Sequence, residues 1–192
     1  MGFLSVLSQA QRFVTERVRP GDIVIDATAG NGVDTLFLSK LVGAGGKVFA
    51  FDVQPDALEH TRKRLESVRD QEALAPVTLL HTGHEHIAES IPDTCHGQVA
   101  AVMFNLGYLP GGEHSVTTMP PTTLIALQAA LKLLRTGGIL TAIVYPGHQG
   151  GDEEAQAVEA WASGVSSLTA QSVIYRFPQK QAAPFLVALN KR

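Results

Sequence analysis

The segment Asp26-Ala27-Thr28-Ala29-Gly30-Asn31-Gly32 combines residue types and spacing that point directly to chemistry. Gly30 and Gly32 let the backbone turn tightly and approach a ligand, and the start of a following helix offers unpaired N–H groups to it. Twenty residues beyond Gly32 stands Asp52. A carboxylate at that spacing, at the end of the next strand, accepts hydrogen bonds from both hydroxyls of a ribose. Turn and acid together point to an adenosine-containing cofactor. Which one stays open: Gly30-Asn31-Gly32-Val33-Asp34-Thr35 satisfies G-x-G-x-x-G only in its first two glycines, and Thr35 at the third disfavours a dinucleotide. No G-x-x-x-x-G-K-[S/T] occurs, so a P-loop phosphotransferase has no support.

Other reactive side chains carry less. His81, His84, His86, Cys95 and His96 stand close in the chain, but their spacing matches no established ligand set, and no metal is expected. Cys95 precedes a strand instead of following one, which places it away from the reactive end of a sheet and makes it a poor covalent nucleophile.

These residues need a scaffold, and hydrophobic periodicity predicts one. Leu4, Leu7, Val14 and Val18 keep helical spacing until Pro20-Gly21. Ile23 to Ala27 is a short apolar run, followed by a helix carrying Val33, Leu36, Phe37 and Leu41. Lys47 to Phe51 is the second strand; Pro55 opens a helix with Leu58, Leu65 and Val68, and Val77 to His81 is the third strand. Val99 to Phe104 is the fourth. A helix after Pro120-Pro121 carries Leu124, Leu127, Leu131 and Leu134 and stops at Gly137-Gly138, and Ile139 to Tyr145 is the fifth strand. Asp152-Glu153-Glu154 begins a helix running through Trp161, where acids complement the positive end of the dipole. Ser172 to Phe177 and Phe185 to Leu189 form a closing antiparallel hairpin. Near-continuous apolar strands alternating with helices imply a doubly wound α/β sandwich with a mostly parallel seven-stranded sheet.

The chain has 192 residues, which fits one domain over 1–192. Its 45% hydrophobic content supports a sizeable core, and 15 Lys and Arg against 18 Asp and Glu give a net charge of −3, too acidic for bulk electrostatic coating of nucleic acid. One cysteine calls for no oxidising compartment, and neither a basic leader nor a long apolar run is present, so a cytoplasmic location and no membrane are expected. From Trp161 onward, Arg176, Lys180, Lys191 and Arg192 meet no Asp or Glu, a local sum of +4 that would suit RNA phosphates.

Asp26 to Gly32, Thr82-Gly83-His84-Glu85, Asn105-Leu106-Gly107-Tyr108-Leu109-Pro110 and Tyr145-Pro146-Gly147-His148-Gln149-Gly150-Gly151 occur in that order. The chain resembles the class I S-adenosylmethionine-dependent methyltransferases, and these four motifs resemble the bacterial family labelled rRNA methylase. Thr28 stands where the superfamily motif usually has its first glycine. The resemblance implies a Rossmann-like fold, S-adenosyl-L-methionine as cofactor, a homodimer, and N-methylation of 5-aminomethyl-2-thiouridine at the wobble position, with the tRNA anticodon stem-loop as partner. It also implies cofactor-binding roles for Asp26, Thr28, Gly30, Asn31, Gly32, Asp34 and Thr35. Of these, Asn31, Gly32 and Asp34 would hold the methionine end. Asp52 would take the ribose, Gln54 the region beside it, and His84 with Glu85 the adenine side.

Asn105-Leu106-Gly107-Tyr108 resembles the [D/N/S]-P-P-[Y/F] signature of amino methyltransferases, with Leu106 and Gly107 in place of both prolines. The resemblance implies that the Asn105 side-chain oxygen and the Leu106 carbonyl accept from the target amine and that Tyr108 covers it. Gly107, Pro110, His114 and Tyr145 would line the substrate side. An alkylammonium has no lone pair, so an imidazole is a candidate proton acceptor; His148, beyond the fifth strand, is preferred over His114. Alternatives remain: a methyltransferase for a small-molecule amine or for rRNA, an NAD-dependent oxidoreductase, and a non-enzymatic nucleotide- or RNA-binding module.

Overall fold

The computed structural model describes residues 2–107, 117–147, 150–180 and 182–192. In chain order the main elements are α1 (Val6–Thr15), β1 (Ile23–Asp26), α2 (Val33–Val42), β2 (Lys47–Asp52), α3 (Pro55–Glu66), β3 (Val77–His81), α4 (Ile87–Ser90), β4 (Val99–Asn105), α5 (Pro120–Leu133), β5 (Leu134–Val144), α6 (Gly151–Gly164), β6 (Ala170–Tyr175) and β7 (Phe185–Lys191). The seven strands lie in the order β3-β2-β1-β4-β5-β7-β6. Strands β1 to β5 pair in parallel, and β7 is antiparallel to both β5 and β6. The doubly wound sheet with its closing hairpin is therefore present.

Continuous apolar strands are explained by their two faces. Along β4, Ala101 and Met103 belong to one core and Val102 and Phe104 to the other; along β7, Leu186 and Ala188 alternate with Val187 and Leu189 in the same way. Val6, Ala10 and Val14 of α1 and Leu38 and Val42 of α2 cover the first face. Leu127 and Leu131 of α5 and Val158 and Ala162 of α6 cover the second. A sheet covered on both faces has no solvent side on which polar residues could alternate.

Several boundaries differ from the periodicity, most plainly those of α5 and β6. Helix α5 ends at Leu133, and Leu134 is already extended at φ −62° and ψ 143°. Gly137-Gly138 does not stop the helix but lies inside β5, where the register jumps: Leu134 pairs with Val99 and Ile139 with Ala101. A Cβ at Gly138 would sit 2.9 Å from the Arg135 carbonyl oxygen, so the excursion itself demands glycine. The edge strand β6 starts at Ala170 and ends at Tyr175, two residues earlier than its β-branched run indicates.

Strand order reverses between β1 and β4, and in open α/β sheets the crevice beyond the carboxyl ends at such a point is where ligands bind.

Candidate active site

A cavity of about 990 Å³ opens at that reversal, within the range of small-molecule and cofactor pockets. Its lining comes from the turns after β1, β2, β3, β4 and β5, together with α1 and the start of α5. Of the described lining residues, three are carboxylates, Asp34, Asp52 and Glu85, and none is Lys or Arg.

Asp52 ends β2 and anchors the glycine turn. Its Oδ2 accepts from the Gly30 backbone N–H at 2.9 Å and its Oδ1 from the Gln54 backbone N–H at 2.9 Å. Each oxygen keeps a second lone pair, so the group is fixed in direction and still able to accept. Gly30 holds φ 51°, which places a residue without a Cβ at the cavity wall.

Thr28, Asn31, Asp34, Gln54, His84 and Glu85 line the cavity beside Gly30 and Asp52. Asp26, Gly32 and Thr35, from which cofactor contact is expected, are not among its lining residues. Asp26 is 1% exposed; its carboxylate accepts from the Thr35 hydroxyl at 2.6 Å and the Thr28 backbone N–H at 3.1 Å. Burial and the nearby Asp34 charge raise its pKa to about 7. Gly32 at φ 75° serves helix packing: a Cβ there would lie 2.8 Å from the Thr61 Cα of α3.

His84 is buried, edge-on to Phe104 with ring centroids 5.8 Å apart. Burial pushes its pKa below the usual imidazole value, against the opposing charge of Glu85 and a hydrogen bond to the Ala27 backbone, so it is neutral near pH 7. His81 and His96 contact the backbone carbonyls of Val53 and Ile91. Among the described residues no three His, Cys, Asp or Glu side chains form a metal-binding group.

At the other end Asn105 closes β4. Its backbone N–H donates to the Thr28 hydroxyl at 2.7 Å, its amide Nδ2 donates to Asp34 Oδ2 at 3.0 Å, and its Oδ1 accepts from the Tyr145 hydroxyl at 3.0 Å. Burial, and secondarily the Asp34 charge, raises the Tyr145 pKa and keeps its proton on. Thr28 thus ties the ends of β1 and β4 together. Leu106 is fully buried, and its N–H donates to the Ile143 carbonyl. Leu106 and Gly107 both line the cavity. Tyr108, Pro110, His114 and His148 lie outside the described residues.

Several lining residues were not visible in the motifs. Leu7 and Gln11 come from α1, and Thr117, Thr118, Met119 and Thr122 from the approach to α5. Only the amphipathic pattern of α1 is legible in sequence, and it marks the buried side, not the neighbour of the cavity. Glu154 does more than complement a helix dipole. Buried at 1% exposure, it accepts from the Thr118 and Thr123 hydroxyls at 2.7 and 2.6 Å and so anchors the start of α5.

The geometry has counterparts of known description. A chloroplastic tRNA (mnm(5)s(2)U34)-methyltransferase of Arabidopsis thaliana is 41% identical over 180 residues, 91% of this chain and 65% of that protein. The ribosomal RNA small subunit methyltransferase H of Brevibacillus brevis is 37% identical over 91 residues, 47% of this chain and 27% of that protein. The chain therefore spans just under two thirds of the first relative's length and far less of the second's. The crystal structure of a "putative rRNA-methylase" from Clostridium thermocellum matches with a TM-score of 0.92 at 40% identity, covering 100% of both chains. A "putative methyltransferase" from Streptococcus mutans, solved in complex with SAH, matches with a TM-score of 0.86 at 36% identity, again over 100% of both. With a family model matching residues 48–190, well over half its length, the chain belongs to the family described as "Putative rRNA methylase".

Proposed function

We infer that the protein is an S-adenosyl-L-methionine-dependent N-methyltransferase acting on the aminomethyl group of 5-aminomethyl-2-thiouridine at the tRNA wobble position. The observation that carries the cofactor reading is the charge of the cavity: three carboxylates and no Lys or Arg among its described lining residues. Such a wall favours a cationic ligand, whereas the diphosphate of a dinucleotide would meet like charge at every acid. This argues against the oxidoreductase alternative. The donor set also fits the group's shape. Asp52 is oriented for ribose hydroxyls by two backbone N–H groups, His84, Glu85 and Asn31 line the same cavity, and Asp34 is bonded to Asn105.

When bound, S-adenosylmethionine supplies a methyl carbon on a positively charged sulfur and leaves as S-adenosylhomocysteine. The protein's part is to present a neutral amine in line with that carbon, since orientation alone can contribute about 7 kcal/mol or more in favourable systems. Asn105 Oδ1, with one lone pair toward Tyr145, keeps a second for a target N–H, and the Leu106 carbonyl is the second acceptor. Both hold the nitrogen lone pair forward. Gly107 and Tyr145 flank this position.

The tRNA reading is supported by the Arabidopsis relative, whose match extends over 91% of this chain, whereas the ribosomal RNA relative matches 47%. A homodimer and a cytoplasmic setting belong to the same reading. The test is mass spectrometry of nucleosides from tRNA carrying unmethylated 5-aminomethyl-2-thiouridine, incubated with protein and methyl-labelled donor. Label on the wobble nucleoside is expected; label only in rRNA or in a small amine would overturn the substrate. In calorimetry, Asp52→Ala is expected to weaken donor binding by about 30-fold or more, from the loss of charge-assisted hydrogen bonds. Asn105→Ala should leave donor binding within about threefold and lower turnover by about 100-fold.

A further inference from the structure

An asparagine amide has two ends of nearly equal shape and opposite hydrogen-bonding sense. Asn105 accepts from a target amine only if its oxygen faces the cavity; turned over, it would present N–H groups to a nitrogen that must keep its lone pair free. Something must therefore choose between the two orientations.

We propose that Asp34 and Gln11 are positioning residues that lock the Asn105 amide with its oxygen toward the substrate, making the N-terminal helix α1 a working part of the transfer site. The inference rests on the reading of Asn105 as the amine acceptor. It stands on a continuous chain of hydrogen bonds that links α1, α2, the end of β4 and the turn after β5. Gln11 Nε2 donates to Asp34 Oδ1 at 3.1 Å, Asn105 Nδ2 donates to Asp34 Oδ2 at 3.0 Å, and the Tyr145 hydroxyl donates to Asn105 Oδ1 at 3.0 Å.

An ionised carboxylate only accepts, so the group facing Asp34 Oδ2 must be the amide nitrogen. On the opposite side the Tyr145 hydroxyl, which can donate or accept, donates to the oxygen that this leaves. Asp34 thus selects the orientation and Tyr145 completes it. A flipped amide would set its oxygen against a carboxylate oxygen. Gln11 completes the arrangement by holding the second oxygen of Asp34, so the carboxylate cannot rotate away from Asn105. Asp34 is 9% exposed, and water is a poor substitute for either amide. Gln11, itself partly exposed, lies before residue 48, where the match to the family model begins, on a helix whose buried residues Val6, Ala10 and Val14 pack the core.

The test uses the full chain with Gln11→Met, Asp34→Asn and their double variant, measuring donor affinity by calorimetry, tRNA turnover, and the side-chain NH2 signals of Asn105 in ¹H–¹⁵N spectra. Asp34→Asn, which removes both the acceptor-only partner and one negative charge of the cavity wall, is expected to weaken donor binding and also to lower kcat at saturating donor by about 30-fold. Gln11→Met should lower kcat by about 5-fold, and the double variant should be no worse than Asp34→Asn alone, because both act through one group. In the wild type the Asn105 NH2 pair should exchange slowly with water and lie apart from exposed amides, and it should lose both properties in Asp34→Asn. Unchanged kcat at saturating donor in both single variants, or donor affinity falling in step with kcat in Gln11→Met, overturns the positioning role. If the wild type leaves tRNA unmethylated, the substrate reading fails, and the NH2 signals alone decide the orientation: an unprotected pair in the wild type rejects it, and a protected pair lost in Asp34→Asn upholds it.

Discussion

Asp26 lies beneath the cavity floor with no solvent and a second carboxylate, Asp34, close by, and these two circumstances raise its pKa from 3.8 to about 7. The folded protein thus keeps a proton on Asp26 at pH values where the unfolded chain has lost it. The stability contributed by this group is complete below about pH 4 and disappears as pH rises toward 7. His84 works in the opposite direction: its pKa is lowered from 6.5, so its contribution is complete above that value and is lost as pH falls. Asp26→Asn isolates the first effect. Its unfolding free energy relative to wild type should rise by a few kcal/mol, at most about 4, between pH 4.5 and 7.5 in urea titrations. A difference that does not change with pH would show that Asp26 ionises normally. Residue types and spacing made Asp26 conspicuous in the sequence, but a carboxylate that touches a ligand and one that supports the turn from behind occupy the same place in a motif.

Among the elements, the junction of α2 with α3 is set by absence of a side chain. Gly32 caps α2 at φ 75°, and a Cβ there would press on the Thr61 backbone at 2.8 Å, while the Thr61 hydroxyl donates to the Gly30 carbonyl. Gly43, at the other end of α2, also has positive φ, 61°, but nothing lies within 4 Å of its Cβ position. Gly32→Ala therefore combines backbone strain with a steric clash and should cost at least about 2 kcal/mol. Gly43→Ala carries the strain alone and should cost about 1 kcal/mol. Equal losses in chemical denaturation would mean that the α2–α3 approach is not tight. Periodicity located both helices, because each repeats apolar residues at helical intervals. It misplaced the end of α5, because leucines continue unbroken from helix into strand and the glycines that interrupt them belong to a register jump within β5.

Across the whole molecule, the cationic character of the C-terminal stretch changes once its neighbours are known. Arg176 pairs with Glu159 of α6 at 2.5 Å and lies over the Phe185 ring at 4.1 Å, and Lys191 donates to the Lys132 and Leu134 carbonyls where α5 passes into β5. Arg17 likewise reaches Asn190 and the Phe13 carbonyl. These cations bind their own fold. Arg176→Ala and Lys191→Met should each cost about 1 kcal/mol of stability and leave affinity for the proposed tRNA substrate, and its slope with KCl, within about twofold. A large loss of affinity would return them to the RNA surface. Local chemistry sufficed for the strand–turn–helix units, the glycine turn with Asp52, and the Asn105 motif, since each depends on residues near one another in the chain. The assembly of the candidate site did not: Gln11, Asp34, Asn105 and Tyr145 come from four parts of the fold that meet only because the strand order reverses between β1 and β4 and α1 packs on β5 and β7. Hydrogen bonds between groups so far apart along the chain leave no periodicity and no spacing, and only the folded sheet brings them within 3.1 Å.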